Sequence, residues 1–334
     1  MSAKRSLLVL GCALSAALLG VILWRLDWHD FTAGLRNLRY EWLAVGITLI
    51  VCSMALRTLR WRALAGLAHV PFRAFWNAAT MGLFINQVYP LRAGEIFRMF
   101  AIRHLAQVPL GRAAMSALVD RVADVLMLGV CALAVFSTHT GLAHAGRLAG
   151  TALVTVVAVI AGLLAFARGD RLWRRWIAAW SARMSGRLQE RIEGFYSEAL
   201  ATAALLGSPE RVGSVLLLTA GAFLLDFAVV QCALKAFGWD LPLIAPATML
   251  VFLAIGVSLP SAPGYAGVYQ IACIFALALF GITESQAVAF SLVLQMCVLL
   301  TVLVLAGWVA LGHLDAFRGA RGAMSALKES DRVG

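Results

Sequence analysis

The chain has 334 residues, 62% of them hydrophobic and 13% charged, with a mean hydropathy of +0.86. A soluble domain carries about 25% charged residues, so the composition excludes an ordinary soluble enzyme and defines an all-α protein that crosses a membrane several times. The net charge of +11 comes without a basic groove interleaved with aromatics; it fits loops facing anionic lipid, not nucleic acid.

The first apolar run, 6–24, follows Lys4 and Arg5 and ends in Trp24-Arg25-Leu26. That is not a small-x-small cleavage site, so a retained first span is expected. Apolar length and breakers place further spans near 42–56, 113–136, 148–166, 212–234, 243–259, 265–281 and 286–312. The stretch 74–89 is shorter and holds Asn77, Asn86 and Gln87. It reaches about 24 Å, short of a roughly 30 Å hydrocarbon core. Arg57, Arg60, Arg62 and Arg73 precede it, and Arg92, Arg98, Arg103 and Arg112 follow it. Positive flanks stay cytoplasmic. The stretch is therefore expected to be re-entrant, which leaves about eight spans and puts both termini in the cytoplasm.

The connection 167–209 carries Arg168, Arg171, Arg174, Arg175, Arg183, Arg187 and Arg191, and is expected inside. Within it Trp173, Trp176, Ile177 and Trp180 recur at helical spacing with arginines on the other faces, the pattern of an interfacial amphipathic helix. It separates a first half, 1–166, from a second half, 210–314, with a cytoplasmic tail at 315–334. Each half holds one short segment that ends in a Pro/Gly-interrupted polar motif. Such paired interruptions mark substrate sites in transporters built from repeats. The six cysteines stand singly in apolar segments, and the six histidines, His139 and His144 in one loop included, show no ligand spacing. No disulfide, metal or cofactor is expected.

Four places carry polar chemistry. In "NQVYPLRAGEIFR", Pro90 breaks the helix, Gly94 permits a tight turn, and a new helix starts at Glu95. Arg92 offers a planar fork to phosphate, and Glu95 can hold Arg92 or Arg98 in place. The other reading is a positive loop with a capping Glu; the free amides Asn86 and Gln87 at membrane depth favour function. In "SALVDRVADVLML", Asp120 and Asp124 share one helix face beside Arg121. They are either interfacial charges or groups that fix the arginines of the first motif. Asp226 lies within a span, where a charge costs about 2.5–3.5 kcal/mol. It is read as a structural hydrogen bond with Gln231 on its face, or as an ion-coupling group. Finally, Pro260, Pro263, Gly264 and Gly267 in "LPSAPGYAGVYQ" allow close backbone approach, or form a tight turn.

In this order, Arg60-Trp61-Arg62, "NQVYPLRAGEIFR", "LVDRVADV" and "LPSAPGYAGVYQ" resemble the lysylphosphatidylglycerol synthase transmembrane-region family, the flippase-like membrane domain of the multiple peptide resistance factor. The resemblance covers about residues 6–312. Asn86, Pro90, Arg92, Gly94, Glu95 and Arg98 match its first motif, Asp120, Arg121 and Asp124 its second, and Pro260, Pro263, Gly264 and Gly267 its third. Tyr265 replaces a usual Gly and Gln270 a usual Glu, so a different head group is implied. The family's aminoacylating domain is not in this sequence, and aminoacyl-lipid synthesis is not expected. The resemblance implies a multi-pass protein of the bacterial cytoplasmic membrane that flips a phosphate-containing lipid, passively or coupled to an ion. Asn86, Gln87, Arg92, Glu95, Arg98, Asp120, Arg121, Asp124, Pro263, Gly264, Gly267 and Gln270 would face the lipid. The partners are then anionic membrane lipids, with a second copy or a neighbouring lipid-biosynthesis enzyme as protein partner. The alternative is a membrane-embedded transferase, or its accessory subunit, acting on a polyprenyl- or glyco-linked substrate, with Asp120, Asp124 or His104 as base.

If 74–89 is re-entrant, Arg73→Cys and His104→Cys will be labelled by a membrane-impermeant thiol reagent from the same face. Labelling from opposite faces refutes the topology.

Overall fold

A computed structural model describes residues 17–22, 24, 26–89, 93–138, 186–258 and 262–312, with isolated positions between 150 and 162. Arg92, Pro90, Pro260, the amphipathic stretch at 173–180, the two loop histidines at 139 and 144, and the tail lie outside the described residues, as does most of 6–24 and 148–166. The elements are α1 Trp28–Arg36, α2 Tyr40–Ala65, α3 Phe72–Val88, α4 Ala93–Ala106, α5 Leu110–Thr138, α6 Gly186–Ala204, α7 Pro209–Ala236, α8 Ile244–Ser258, α9 Val268–Ala278 and α10 Glu284–Gly312. Short 3₁₀ turns fill Leu205–Gly207 and Pro263–Tyr265. No strand occurs among the described residues. The chain is an all-α membrane protein, and α2, α7 and α10 are long and apolar enough to cross a bilayer.

The helix α2 runs well past the apolar stretch at 42–56. Arg57 and Arg60, expected in a basic loop, lie inside it, and Arg60 is fully buried. Arg98 is likewise buried inside α4. Carboxylates on neighbouring helices neutralise these arginines, so the helices need not end at them. α2 and α7 lie antiparallel along each other. Arg39 N–H donates to Ala236 O at one end (2.9 Å), and Leu64 packs on Val215 at the other.

Between the long helices stand two hairpins. In α3/α4 the packing is backbone against backbone: a Cβ on Gly94 would sit 1.8 Å from the Gly82 carbonyl oxygen. Gly94 is thus required for close approach within the first turn of a helix that starts at Ala93, and not for a turn before Glu95. The segments 243–259 and 265–281, spans by apolar length, are α8 and α9, which fold back as the second hairpin. α9 has 11 residues and extends about 17 Å, too short to cross a bilayer.

The hairpins repeat one design. The shift that carries α5, 110–138, onto α10, 284–312, also carries Gly82 onto Gly256 and Gly94 onto Val268. Gly82 faces Gly94 and Arg98; Gly256 faces Val268 and Ala272 in the same register. Across the units α3 packs on α10, and α8 packs on α5. The hairpins enter from opposite ends of the bundle and meet at their tips, where Gly264 approaches the Gln87 carbonyl.

The turn of the second hairpin needs left-handed backbone at Gly264 (φ 72°), Tyr265 (φ 59°) and Gly267 (φ 83°). Tyr265 therefore holds a conformation that favours glycine. This accounts for a family pattern with Gly at that place.

Gly94→Ala will cost about 1–3 kcal/mol of stability, seen as a lower unfolding temperature in detergent. Gly213→Ala, with no atom within 4 Å of its added methyl, will not lower it.

Candidate functional site

A charged cluster is built where α2, α4, α5 and α7 meet. Arg57 and Arg60 are one turn apart on α2, Asp120 and Asp124 one turn apart on α5. Arg60 Nε donates to Asp120 Oδ1 at 2.8 Å and its Nη2 to Asp124 Oδ1 at 2.7 Å. Its Nη1 donates to Thr219 Oγ1 at 3.1 Å. The side chains of Arg60 and Asp120 are 0% and 2% exposed. Every nitrogen of Arg60 is matched, which is what makes so deep a charge tolerable.

Arg98 lies across Asp120, with Nη1 and Nη2 both 3.2 Å from Oδ2, and its guanidinium covers the Trp61 ring at 4.8 Å. Trp61 is fixed by donating from Nε1 to Ser116 Oγ at 3.1 Å. Arg57 bridges Asp124, at 2.6 Å, and Asp226. Ser53 Oγ donates to the other oxygen of Asp226. The expected partner, Gln231, takes no part: its Oε1 has no hydrogen bond. A guanidinium opposite is a stronger match for a buried carboxylate than an amide on its own helix.

Glu95 Oε2 lies 3.0 Å from Arg98 Nε and 3.3 Å from Arg121 Nε. Yet neither N–H is directed at it, and all three atoms are buried without a hydrogen bond. The contact is Coulombic only. Arg121 also pairs with Asp124 at 3.3 Å. Arg57, Arg60, Arg98 and Arg121 thus face Glu95, Asp120, Asp124 and Asp226, a balanced set among the described residues. A cavity of about 40 Å³ opens onto Arg57, Asn86, Glu95, Arg98, Asp120 and Arg121.

Asn86 is not a free amide. Its Oδ1 accepts from the Gly94 N–H at 2.8 Å and satisfies one donor of the α4 N-terminus. Gln87 meets the second hairpin through its carbonyl and stays outside the charged cluster. Gln270 does not line this cavity. Its Oε1 accepts from Gly267 N–H at 2.8 Å and its Nε2 donates to Gln295 Oε1 at 2.7 Å, while Gln295 donates to Gly264 O. The amides lock the turn, and Gln270 spends its oxygen and one N–H there, away from the cavity. Gln295 occupies on α10 the place Arg121 has on α5, and each reaches its own hairpin's break.

Sequence reasoning finds Glu95, Arg98, Asp120, Arg121 and Asp124 together but misses Arg57, Arg60 and Ser53 as their partners. The available signal is charge at one-turn spacing within a helix otherwise apolar.

The fold and this site define a membrane protein of two hairpin-bearing units around a buried arginine–carboxylate cluster. The chain belongs to the family described as the Lysylphosphatidylglycerol synthase TM region, which matches residues 8–306. A glycosyltransferase, AglD of Haloferax volcanii, is 26% identical over 326 residues, covering 86% of this chain and 51% of that protein. The chain thus spans about half the length of this curated relative. No solved structure matches it.

Arg60→Ala leaves the buried Asp120 Oδ1 without its donor and takes one cation from Asp124, and will cost about 3–5 kcal/mol. Asp226→Asn removes one of two carboxylates from Arg57, which keeps Asp124, and will cost less than Arg60→Ala. Thermal unfolding of the purified variants reads this order.

Proposed function

We propose that the chain carries the phosphate-bearing head group of a membrane lipid between leaflets while the acyl chains stay in the bilayer. The observation that carries this reading is the pair of buried Nε–H donors on Arg98 and Arg121, which lack a hydrogen-bond acceptor and border the cavity. Unpaired buried donors are costly and rare, and a tetrahedral anion satisfies two converging guanidinium edges.

The cavity has room for about one water, so head-group entry requires Glu95 to move. Glu95 is the group to exchange, because it is held by charge without an aligned hydrogen bond. Arg121, 42% exposed, and Arg57, 29% exposed, are the arginines that reach the ligand first. Arg92 precedes α4 directly in sequence and would add the positive charge that the balanced cluster lacks. Arg60 and Asp120 position the others.

A second reading, a transferase or its accessory subunit on a lipid-linked substrate, draws on the relative's name. It needs a base. Asp120 and Asp124 are committed to arginines, and His104 is exposed at the C-terminal turn of α4. These positions support transport over transfer.

In proteoliposomes with a fluorescent phospholipid, Arg121→Ala and Arg92→Ala will slow transbilayer movement about tenfold or more. Arg92→Lys and Glu95→Gln will slow it partly, the latter by retaining the anion. Wild-type rates in both alanine variants defeat the proposal. A new lipid product from wild type with a sugar donor favours the second reading.

A further inference from the structure

A second recess, largely apolar with an arginine and an asparagine at its border, lies away from the charged cluster, between the first turns of α3 and the last turn of α10. It is half open, holds about 370 Å³ and is bordered by Arg73, Trp76, Asn77, Trp308, Val309 and Leu311. Asn77 is only 4% exposed, and its side-chain amide makes no hydrogen bond to any described residue. It borders the recess, so its unsatisfied donors and acceptor open onto this volume. Arg73 is exposed at the mouth, with Nη2 3.8 Å from where a Cβ on Gly312 would stand. Trp308 is 78% exposed beside it. An arginine and a tryptophan at the end of membrane helices are the groups that sit at head-group level.

The repeat supplies the control. The shift that carries α5 onto α10 carries Arg73 onto Ala247, Asn77 onto Val251 and Val135 onto Val309. At the other end of the bundle Val251 and Val135 are buried together, with Ala247 packed against them. Both junctions bury apolar side chains, Val309 with Phe75 and Ala78 in this one, but only this one adds a rim cation and an amide without a hydrogen bond among the described residues. The repeated architecture does not require those polar residues.

We propose that this recess binds the head-group phosphate of a phospholipid from the adjoining leaflet. Arg73 pairs with a phosphate oxygen, Asn77 Nδ2 donates to the glycerol or phosphate oxygens, and Trp308 flanks the acyl chains. The site is where a lipid would enter from that leaflet; this last step alone rests on the transport reading.

The test is native mass spectrometry of the purified protein with phosphatidylglycerol, with diacylglycerol of the same chains, and with soluble glycerol phosphate as competitor. Wild type will retain phosphatidylglycerol in preference to diacylglycerol, and glycerol phosphate will not displace it. Arg73→Ala and Asn77→Leu will each weaken retention about tenfold, and Arg73→Lys less. Asn77→Leu will unfold close to the wild-type temperature, because the amide it removes makes no hydrogen bond among the described residues. Wild-type retention in Arg73→Ala and Asn77→Leu overturns the site, as does equal retention of diacylglycerol or displacement by glycerol phosphate. Should Asn77→Leu misfold, Asn77→Ser and Arg73→Ala carry the same comparison. A wild type that binds phosphatidylglycerol but does not move it removes the transport reading and leaves this site. Variants that retain the lipid while wild type transports remove this site alone.

Discussion

Arg60 is the constraint on which the rest turns. A guanidinium this deep is admissible only if each of its nitrogens has a partner, and the partners come from two other helices, α5 and α7. That requirement fixes the rotation of α5, because Asp120 and Asp124 must both face α2. Asp120, so placed, receives Arg98 and draws α4 inward. Arg57, one turn before Arg60, extends the lattice to Asp226 on α7. The helices could meet through apolar side chains instead, and buried ion pairs often gain nothing in stability over such packing. What the lattice gains is register: one arrangement pairs all the charges, and others strand one.

The second unit bears this out. Where α5 carries Asp120 and Asp124, α10 carries Leu294 and Val298, which pack in a hydrophobic cluster with Leu234 and Met249. Where α4 carries Glu95 and Arg98, α9 carries Tyr269 and Ala272. The hairpin design is thus packed by charge in one unit and by hydrocarbon in the other. The amide lock of Gln270 and Gln295 preserves a polar tie at one place in the apolar unit: the turn, where backbone groups freed from helical bonding must be matched away from water.

Much of this was legible in the sequence, and the failures have definite causes. The helical membrane character followed from composition, and the short stretch before Asn86 from its length. The one-turn spacing of Asp120 and Asp124 placed them on one face, which the fold retains. Helix ends were misjudged at Arg57 and Arg60, because apolar length treats an arginine as the end of a span. A partner on another helix removes that penalty, and such partners are not visible along the chain. The same blindness paired Asp226 with Gln231. The α8/α9 segments read as spans because a hairpin buried among other helices is as apolar as one facing lipid. Gly94 shows a different limit: glycine serves turns and close approaches alike, and only the facing Gly82 distinguishes them.

If the two hairpins that meet tip to tip each enter the membrane from one side, then on the proposed reading a head group would have part of the bilayer to cross on each side of the meeting point. One tip adjoins the charged cluster, the other is closed by amides. On the proposed reading this asymmetry has a physical sense. An anion drawn to a balanced cluster must displace a carboxylate to bind, and the displaced Glu95 remains covalently near to take its place back. Binding is then an exchange of one anion for another at nearly constant net charge, which avoids leaving an uncompensated arginine in the membrane at any stage. A site of free arginines would hold a phosphate more tightly and release it more slowly. A loosely directed carboxylate beside well-anchored arginines favours passage over retention, and Glu95 has that character because Asp120 and Asp124, and not Glu95, hold the arginines in place.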